Sequence, residues 1–296
     1  MATIIDISGV LYSSFYSAVK NETKVPRSTF GQAEQVHDPY SVDLLRHLVL
    51  NQIRIYRNRF FREYGEIVLA CDSGNIWRKD EFPYYKMARK AKRQESTVDW
   101  DRVYTAFHKI LDEICESFPY KVIKVDRMEA DDIIGTIIMN TDESDKHMIV
   151  SSDKDLLQLQ CYGNANNFSH AKKEIMTVED TSCFLMEHIL RGDAGDGIPN
   201  VLSDDDTFVV EDKRQGRMTK KKLTELMEKP EHQYETKIRR NYKRNKMLID
   251  LSCIPQDLQD ACMEQYNVEK KRENGKIMKF FVHHKLKNLM SHRGEF

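Results

Sequence analysis

The stretch "YKVIKVDRMEADDIIGTIIMNTDESDKHMIVSSD", Tyr120 to Asp153, decides the fold. "YKVIKVD" and "KHMIVSSD" read as short buried strands, and "DDIIGTIIM" between them reads as a helix. The helix opens on "MEADDIIG", Met128 to Gly135, which puts Glu129, Asp131 and Asp132 within four residues. Like charges about 4 Å apart repel by roughly 4 kcal/mol at an effective dielectric of about 20, so this crowding needs compensation. A helix amino terminus or a bound cation can supply it.

The same alternation extends toward the amino terminus. "ATIIDIS" and "EIVLACD" read as buried strands. "VDLLRHLVLNQIRIYRNRFF" repeats Leu45, Leu48, Val49, Tyr56 and Phe60 at helical spacing, and "DWDRVYTAFHKILDEICESF" does so through Val103, Phe107, Ile110, Leu111 and Ile114. Strands alternating with helices imply an α/β fold, a mostly parallel central sheet with helices on both faces. This pattern runs over 1–177. From Val178 it changes: "VEDTSCFLMEHIL" is helical, polar helices follow, and no strand series is visible, so 178–296 is expected to form a smaller, mainly helical domain. The acidic run "LSDDDTFVVED" between them reads as a loop.

At 296 residues the chain has room for two domains of about 150 residues each. No window approaches the roughly 18 uncharged apolar residues that span a bilayer, and the start lacks a basic region before its apolar run. A cytoplasmic protein with no membrane contact is expected. Six cysteines show no C-x-x-C spacing, which argues for reduced thiols over zinc or disulfides. The net charge of −1 hides clusters. "WRKDEFPYYKMARKAKR", Trp77 to Arg93, holds seven basic residues against two acidic ones, interleaved with Trp77, Tyr84 and Tyr85. Phosphate and base-stacking contacts use this mixture. "KRQGRMTKKK" (Lys213 to Lys222) and "KIRRNYKRNK" (Lys237 to Lys246) carry six basic residues each and no acidic ones, which suits either a phosphate-binding surface or a solvated helix face.

Asp6, Asp72, Glu129, Asp131, Asp153 and Asp155 each fall at or just past the carboxyl end of an expected strand, the edge where open α/β sheets bind ligands. "RGDAGDGIPN" adds Asp193 and Asp196. Any one pair could be a helix cap, but capping does not explain eight carboxylates converging on one rim. Hard divalent ions do. Mg2+ suits an oxygen-rich, water-mediated site, and two such ions about 4 Å apart can activate a water and stabilise a leaving oxygen in phosphodiester hydrolysis.

In this order and at these separations, "IIDISG", "ACDSG…WR", "EADD", "SSDKD" and "GDAGDGIPN" resemble the flap endonuclease family of structure-specific 5′ nucleases, the phage members above all. The likeness extends through "PYYKMARKAKRQEST", "LIDLSCIP" and the ending "KIMKFFVHHKLKNLMSHRGEF", nearly the whole chain. It implies a 5′ to 3′ exonuclease and flap endonuclease with ribonuclease H activity that removes RNA primers from lagging-strand fragments during replication. The implied partners are RNA–DNA hybrid and flapped or nicked duplex DNA, with the enzyme a monomer. By the same resemblance Asp6, Asp72, Glu129 and Asp131 hold a first Mg2+, with Asp131 placed at the reaction. Asp153 and Asp155 bridge to a second ion completed by Asp193 and Asp196, Mn2+ can substitute, and Asp132 stands behind the ligands. Lys86 and Arg89 match the catalytic cations of an arch at about 77–97, and Tyr85, with Arg93 assisting, matches its contact to the strand. Trp77 and Arg78 fall in the same nucleic-acid-binding segment.

Two departures from the family pattern stand out. "GIPNVLSDDDTFVV" is acidic where many members carry a glycine-rich turn that grips duplex backbone, so the basic clusters, with Lys220, Lys221, Arg239 and Arg240, are the expected substitutes. The amino terminus enters its strand at once, which leaves no leading tail for a replication partner; a single-strand-binding protein or sliding clamp stays a candidate partner. The competing functions are a PIN-type single-stranded ribonuclease, a haloacid-dehalogenase-type phosphatase and a non-catalytic nucleic-acid-binding scaffold. The phosphatase wants an acid two residues after its nucleophile, and Ser8 stands there.

Overall fold

Successive residues of a strand point to opposite faces of its sheet, so Ile4 and Ile5, both fully buried, require cover on both sides. A computed structural model describes residues 1–22, 38, 40–270 and 274–296. Its strands β1 (Ala2–Asp6), β2 (Ile67–Ala70), β3 (Lys121–Ile123), β4 (His147–Val150), β5 (Ala165–Ser169) and β6 (Glu174–Met176) form one sheet in the order β3-β2-β1-β4-β5-β6. All neighbours are parallel except the β5–β6 pair. The expected mostly parallel sheet flanked by helices is what the chain forms. Two strands and one helix carry little signal in the sequence. β5 (ANNFS) and β6 (EIM) are short and polar, and α1 (Ile7–Glu22) starts directly where β1 ends, with no turn to announce it.

Ile5, Ile67, Leu69, Met148 and Val150 face a core built with α1, α2 (Val42–Tyr64) and, after the short helices α3 (Arg78–Glu81) and α4 (Met87–Gln94), with α5 (Trp100–Ser117). Ile4, Val68, Ala70 and Ile149 face the opposite core, built with α6 (Ala130–Met139) and the 3-10 segment Asp155–Tyr162. Past these, α7 (Thr181–Arg191), α8 (Lys220–Glu228) and α9 (Thr236–Ile249) pack together through Leu190, Leu223, Leu226 and Ile238.

The carboxyl-terminal helices, expected from the sequence to belong to a separate unit, return to the sheet. Leu251, Ile254 and, on α10 (Gln256–Asn267), Leu258 and Cys262 join the α6 core. Gly135 of α6 allows this, since a Cβ there would stand 3.3 Å from Leu251. Ile277, Phe280 and Phe281 of α11 (Asn274–His283), Leu289 of α12 (Lys287–Met290) and Phe296 join the other core. The change at 178 is thus one of secondary structure; both cores take residues from each side of it. Among the described residues no helix is long and apolar enough to cross a membrane.

β2 follows β1 on one side of it, whereas β4 pairs on the other, so the order of connection reverses beside β1. A crevice opens at such a switch point at the carboxyl ends of the strands. Asp6 ends β1 there, and Ser151 to Asp153 follow β4.

Candidate active site

Each acid of the crevice is set by local backbone. The Asp6 Oδ1 accepts the N–H groups of Ser8 (3.1 Å) and Gly9 (3.4 Å) at the start of α1, and its Oδ2 accepts the Ser151 hydroxyl at 3.0 Å. Asp72 accepts the Ala130 N–H at 2.8 Å and the Ser8 hydroxyl at 2.6 Å, which ties the end of β2 to the first turn of α6. Asp153 accepts the Asp155 N–H at 2.9 Å. Gly192, at φ 66° and with carbonyl oxygens 2.4 and 2.6 Å from where a Cβ would stand, turns the chain out of α7 so that Asp193 comes back beside it. Asp193 then accepts the Asp196 N–H at 3.0 Å.

These acids line a cleft of about 1060 Å3 together with Lys79, Lys86, Arg89, Arg93, Lys124 and Lys154. Asp6, Asp72, Glu129, Asp131, Asp153, Asp155 and Asp193, seven of the eight acids expected on the rim, face it. Burial and the nearby Asp72 carboxylate push Asp6 up to about 6. Burial, then Asp153, push Asp155 up to about 7. Asp131 is held well above the ordinary range by burial, then by Asp153 and Asp6, and among the described residues no donor reaches its carboxylate. A carboxylate without a partner between two others is a donor set that fits a hard cation.

The cationic wall belongs to the segment entering α4. Lys86 takes a left-handed backbone (φ 55°) and donates its N–H to the Asp196 carbonyl at 2.7 Å. Its ammonium lies 2.5 Å from Glu129 Oε1 and 3.3 Å from Asp196 Oδ2. Burial pulls this ammonium down, but Asp196 and Glu129 outweigh burial and hold it above its usual value. Arg89 pairs with Asp196 and donates to the Gly195 carbonyl at 3.0 Å, and Arg93 is exposed, 5.8 Å from the Tyr104 ring centre.

Several expected site residues take other positions. Asp132 is fully buried behind the cleft wall: it accepts the Glu129 N–H at 3.0 Å, a helix cap, and pairs with Arg78 at 2.7 Å. Trp77, Arg78 and Tyr85 are each no more than 3% exposed and cannot stack on or grip a nucleic acid. Trp77 donates to Asp132 at 3.1 Å; Arg78 binds Asp132, Glu129 (3.2 Å) and the Leu248 carbonyl (2.7 Å); the Tyr85 hydroxyl, with one proton to give, lies 2.8 Å from Glu129 and 2.9 Å from Asp196. A basic, aromatic composition does not reveal which side of a short helix turns inward. Glu129 faces the cleft with both oxygens already engaged, and Asp196 is turned to Lys86 and Arg89 rather than lining the cleft. Of the distal cluster, Lys220 and Lys221 are exposed, Arg239 is partly exposed, and Arg240 pairs with Asp205.

Sequence reasoning missed Ser8 and Ser151, whose hydroxyls hold Asp72 and Asp6, although both stand inside quoted motifs. It also missed His188. The ring lies 3.4 Å from Asp155 and 3.6 Å from Asp193, and a single histidine on an amphipathic helix carries no signal of this.

Residues 1–184 match the 5′-3′ exonuclease N-terminal resolvase-like domain family, and residues 180–296 match the phage T4 RNase H C-terminal family. The chain is 32% identical over 268 residues to the ribonuclease H of Enterobacteria phage T4, covering 86% of this chain and 88% of that protein. It is 30% identical over 162 residues to a 5′-3′ exonuclease of Buchnera aphidicola subsp. Schizaphis graminum, covering 52% and 53%. In fold it is similar to a phage T5 protein co-crystallised with metal ions (TM-score 0.62, 16% identity, 90% of this chain and 98% of that one). It is also similar to the phage T5 flap endonuclease in complex with DNA and metal ions (TM-score 0.60, 16% identity, 91% and 99%). The relatives are nucleases, the crevice carries the acids and cations of phosphodiester chemistry, and the chain is a hydrolase belonging to the 5′-3′ exonuclease family.

Proposed function

We propose that the chain uses two Mg2+ ions, replaceable by Mn2+, to cleave RNA–DNA hybrids and flapped or nicked duplex DNA from the 5′ end, removing RNA primers during replication. The observation that carries this reading is the cleft in which seven carboxylates face six basic side chains. Asp6, Asp72, Asp131 and Asp153 would hold one ion; Asp155 and Asp193 would hold the other, with Asp153 between them. When bound, the ions supply charge neutralisation and an acidified water at the scissile phosphate.

The chain's own residues do the rest. Ser8, Ser151 and the first turns of α1 and α6 fix the carboxylates before substrate arrives. Lys86 and Arg89 offer charge to the non-bridging phosphate oxygens, where it is worth most as negative charge builds. Glu129 and Asp196 hold these cations at the rim, and Tyr85 and Arg78 hold Glu129 from behind. Arg93, exposed on the same wall, meets the strand beyond the reacting phosphate. A scaffold that only binds nucleic acid has no use for acids that burial, and then mutual repulsion, lift to about 6 at Asp6 and about 7 at Asp155.

A 5′-labelled RNA–DNA hybrid and a labelled 5′ flap, followed over time with Mg2+ or EDTA, test the proposal. Wild type should release short products from the 5′ end only with Mg2+. Asp131→Asn should bind but lose at least about 10²-fold in rate, the scale seen when one stabilising group of a preorganised site is removed. Binding without cleavage in any divalent ion would favour the scaffold, and preference for free single-stranded RNA would favour a PIN-type ribonuclease.

A further inference from the structure

We propose that His188 supplies a nitrogen ligand to the ion between Asp155 and Asp193, making this half of the site prefer borderline transition ions such as Mn2+ over Mg2+. This rests on reading the cleft as a divalent-metal site; what it adds is the nitrogen donor and the selectivity that follows.

The geometry is that of a ring between two carboxylates. His188 Nδ1 stands 3.4 Å from Asp155 Oδ1, and Nε2 stands 3.6 Å from Asp193 Oδ2. Both exceed the roughly 2.7–3.2 Å of an ordinary N–H···O bond, so neither contact is a closed hydrogen bond. One ligand atom from each of the three residues lies within 4.8 Å of the others. Donors bound to one ion at about 2.1 Å are about 3.0–4.2 Å apart, so the three need only close slightly.

The position is built rather than accidental. His188 sits in the last turn of α7, its ring edge-on to Phe184 at 6.3 Å, and the Gly192 turn returns Asp193 to it. The side chain is 16% exposed and stands behind Asp155 and Asp193, two of the acids that line the cleft. An all-oxygen set suits Mg2+, whereas an imidazole nitrogen favours first-row transition ions, with Mn2+ the weakest binder of that series. The Asp6–Asp72–Asp131 half, lined by oxygen donors, keeps its Mg2+ character.

The test is pulsed electron paramagnetic resonance on full-length protein loaded with Mn2+, together with binding isotherms for Mn2+ and Mg2+, on wild type and His188→Gln. The expected result is an imidazole 14N modulation in wild type that disappears in the variant. Mn2+ affinity at one site should fall about tenfold and Mg2+ affinity by less than about twofold. A Mn2+-loaded wild type without 14N modulation overturns the proposal whatever the variant does, leaving His188 as a clamp on two carboxylates. Persistence of the modulation in folded His188→Gln overturns it too, assigning the nitrogen to another residue such as His108 on the same cleft. A protein that binds no Mn2+ at all overturns the metal-site reading itself.

Discussion

Lys86 and Glu129 show how one pair of side chains can serve both the fold and the chemistry. Their contact of 2.5 Å places an ammonium at the rim of the acid cluster, and Tyr85, beneath it, keeps Glu129 and Asp196 pointed at that ammonium. Lys86→Ala should lower kcat by about 10²–10³-fold with a smaller change in substrate affinity, because charge at this point matters most in the transition state. Tyr85→Phe should cost nearer to tenfold, since it removes orientation and leaves the cation in place; single-turnover rates at saturating enzyme separate the two. A larger loss in Tyr85→Phe than in Lys86→Ala would contradict these roles. Acid–base behaviour gives a second expectation at this scale. With Asp6 up to about 6 and Asp155 up to about 7, both must lose protons before they can hold an ion. Activity should therefore fall as pH drops through 7 toward 6, and raising Mg2+ tenfold should move that acid limb to lower pH. A pH–rate profile with the same limb at both concentrations would separate the limb from these carboxylates. The acids could be recognised from their places after strands. The buried roles of Trp77, Arg78 and Tyr85 could not, because the partners that define them come from the start of α6, the loop after α7 and the end of α9, distant in the chain.

Elements carry the charge pattern that residues alone conceal. The acidic loop and the basic helix α9 are more than twenty residues apart in sequence, yet Asp204 pairs with Lys237 at 2.7 Å and with Lys213 at 3.1 Å, and Asp205 pairs with both Arg240 and Arg244. The sequence separates these clusters, so one reads as acidic and the other as free to bind phosphate; folding cancels much of both. Lys220 and Lys221 differ. They occupy the first turn of α8, where the helix dipole disfavours cations, and among the described residues neither has a carboxylate partner. Their charge remains available for phosphate. Reversing both to Glu should weaken duplex binding and flatten the log–log salt dependence by about 0.9 for each phosphate that is no longer neutralised. Asp204→Asn with Asp205→Asn should act in the opposite direction, tightening binding by freeing Lys237, Arg240 and Arg244. Fluorescence anisotropy across a salt series with EDTA present reads both effects apart from catalysis. Equal binding by all three proteins would remove α8 and α9 from the nucleic-acid surface. The polar strands β5 and β6 were hidden for a related reason: their pairing rests on backbone hydrogen bonding and not on an apolar repeat, and buried Asn167 of β5 is tied to Gln160 and the Leu156 carbonyl of the 3-10 segment.

Over the whole molecule, the sheet that forms the crevice is closed on both faces by the carboxyl-terminal helices, so the acid cluster is coupled to global stability. The coupling has a sign. Asp6 and Asp155, with Asp131 behind them, keep protons in the folded chain that unfolded carboxylates release near their ordinary 3.8. Without divalent ions the folded state therefore loses stability as pH rises from about 4, until Asp6 levels off above about 6 and Asp155 above about 7, with Asp131 continuing beyond its ordinary range. His147 and His170, pushed by burial down to about 4 from an ordinary 6.5, act the other way: stability from them grows between those values and is level above 6.5. His188, which burial lowers but Asp193 and Asp155 raise more, loses its contribution as pH climbs above 6.5, in the same sense as the carboxylates. The window from 6.5 to 8 thus isolates the crevice. In EDTA the melting temperature should fall across that window, and saturating Mg2+ should flatten the fall by binding the ionised acids. Asp131→Asn removes the carboxylate with no partner, so it should raise the metal-free melting temperature at pH 8 by about 2–4 °C, the shift expected from roughly 1 kcal/mol in a chain of this size. The same variant should lose most of the Mg2+ response. Scanning calorimetry of both proteins, with and without Mg2+ at pH 6.5 and pH 8, provides the comparison. A wild type that melts identically under all four conditions would mean that the carboxylates repel one another too weakly to need an ion.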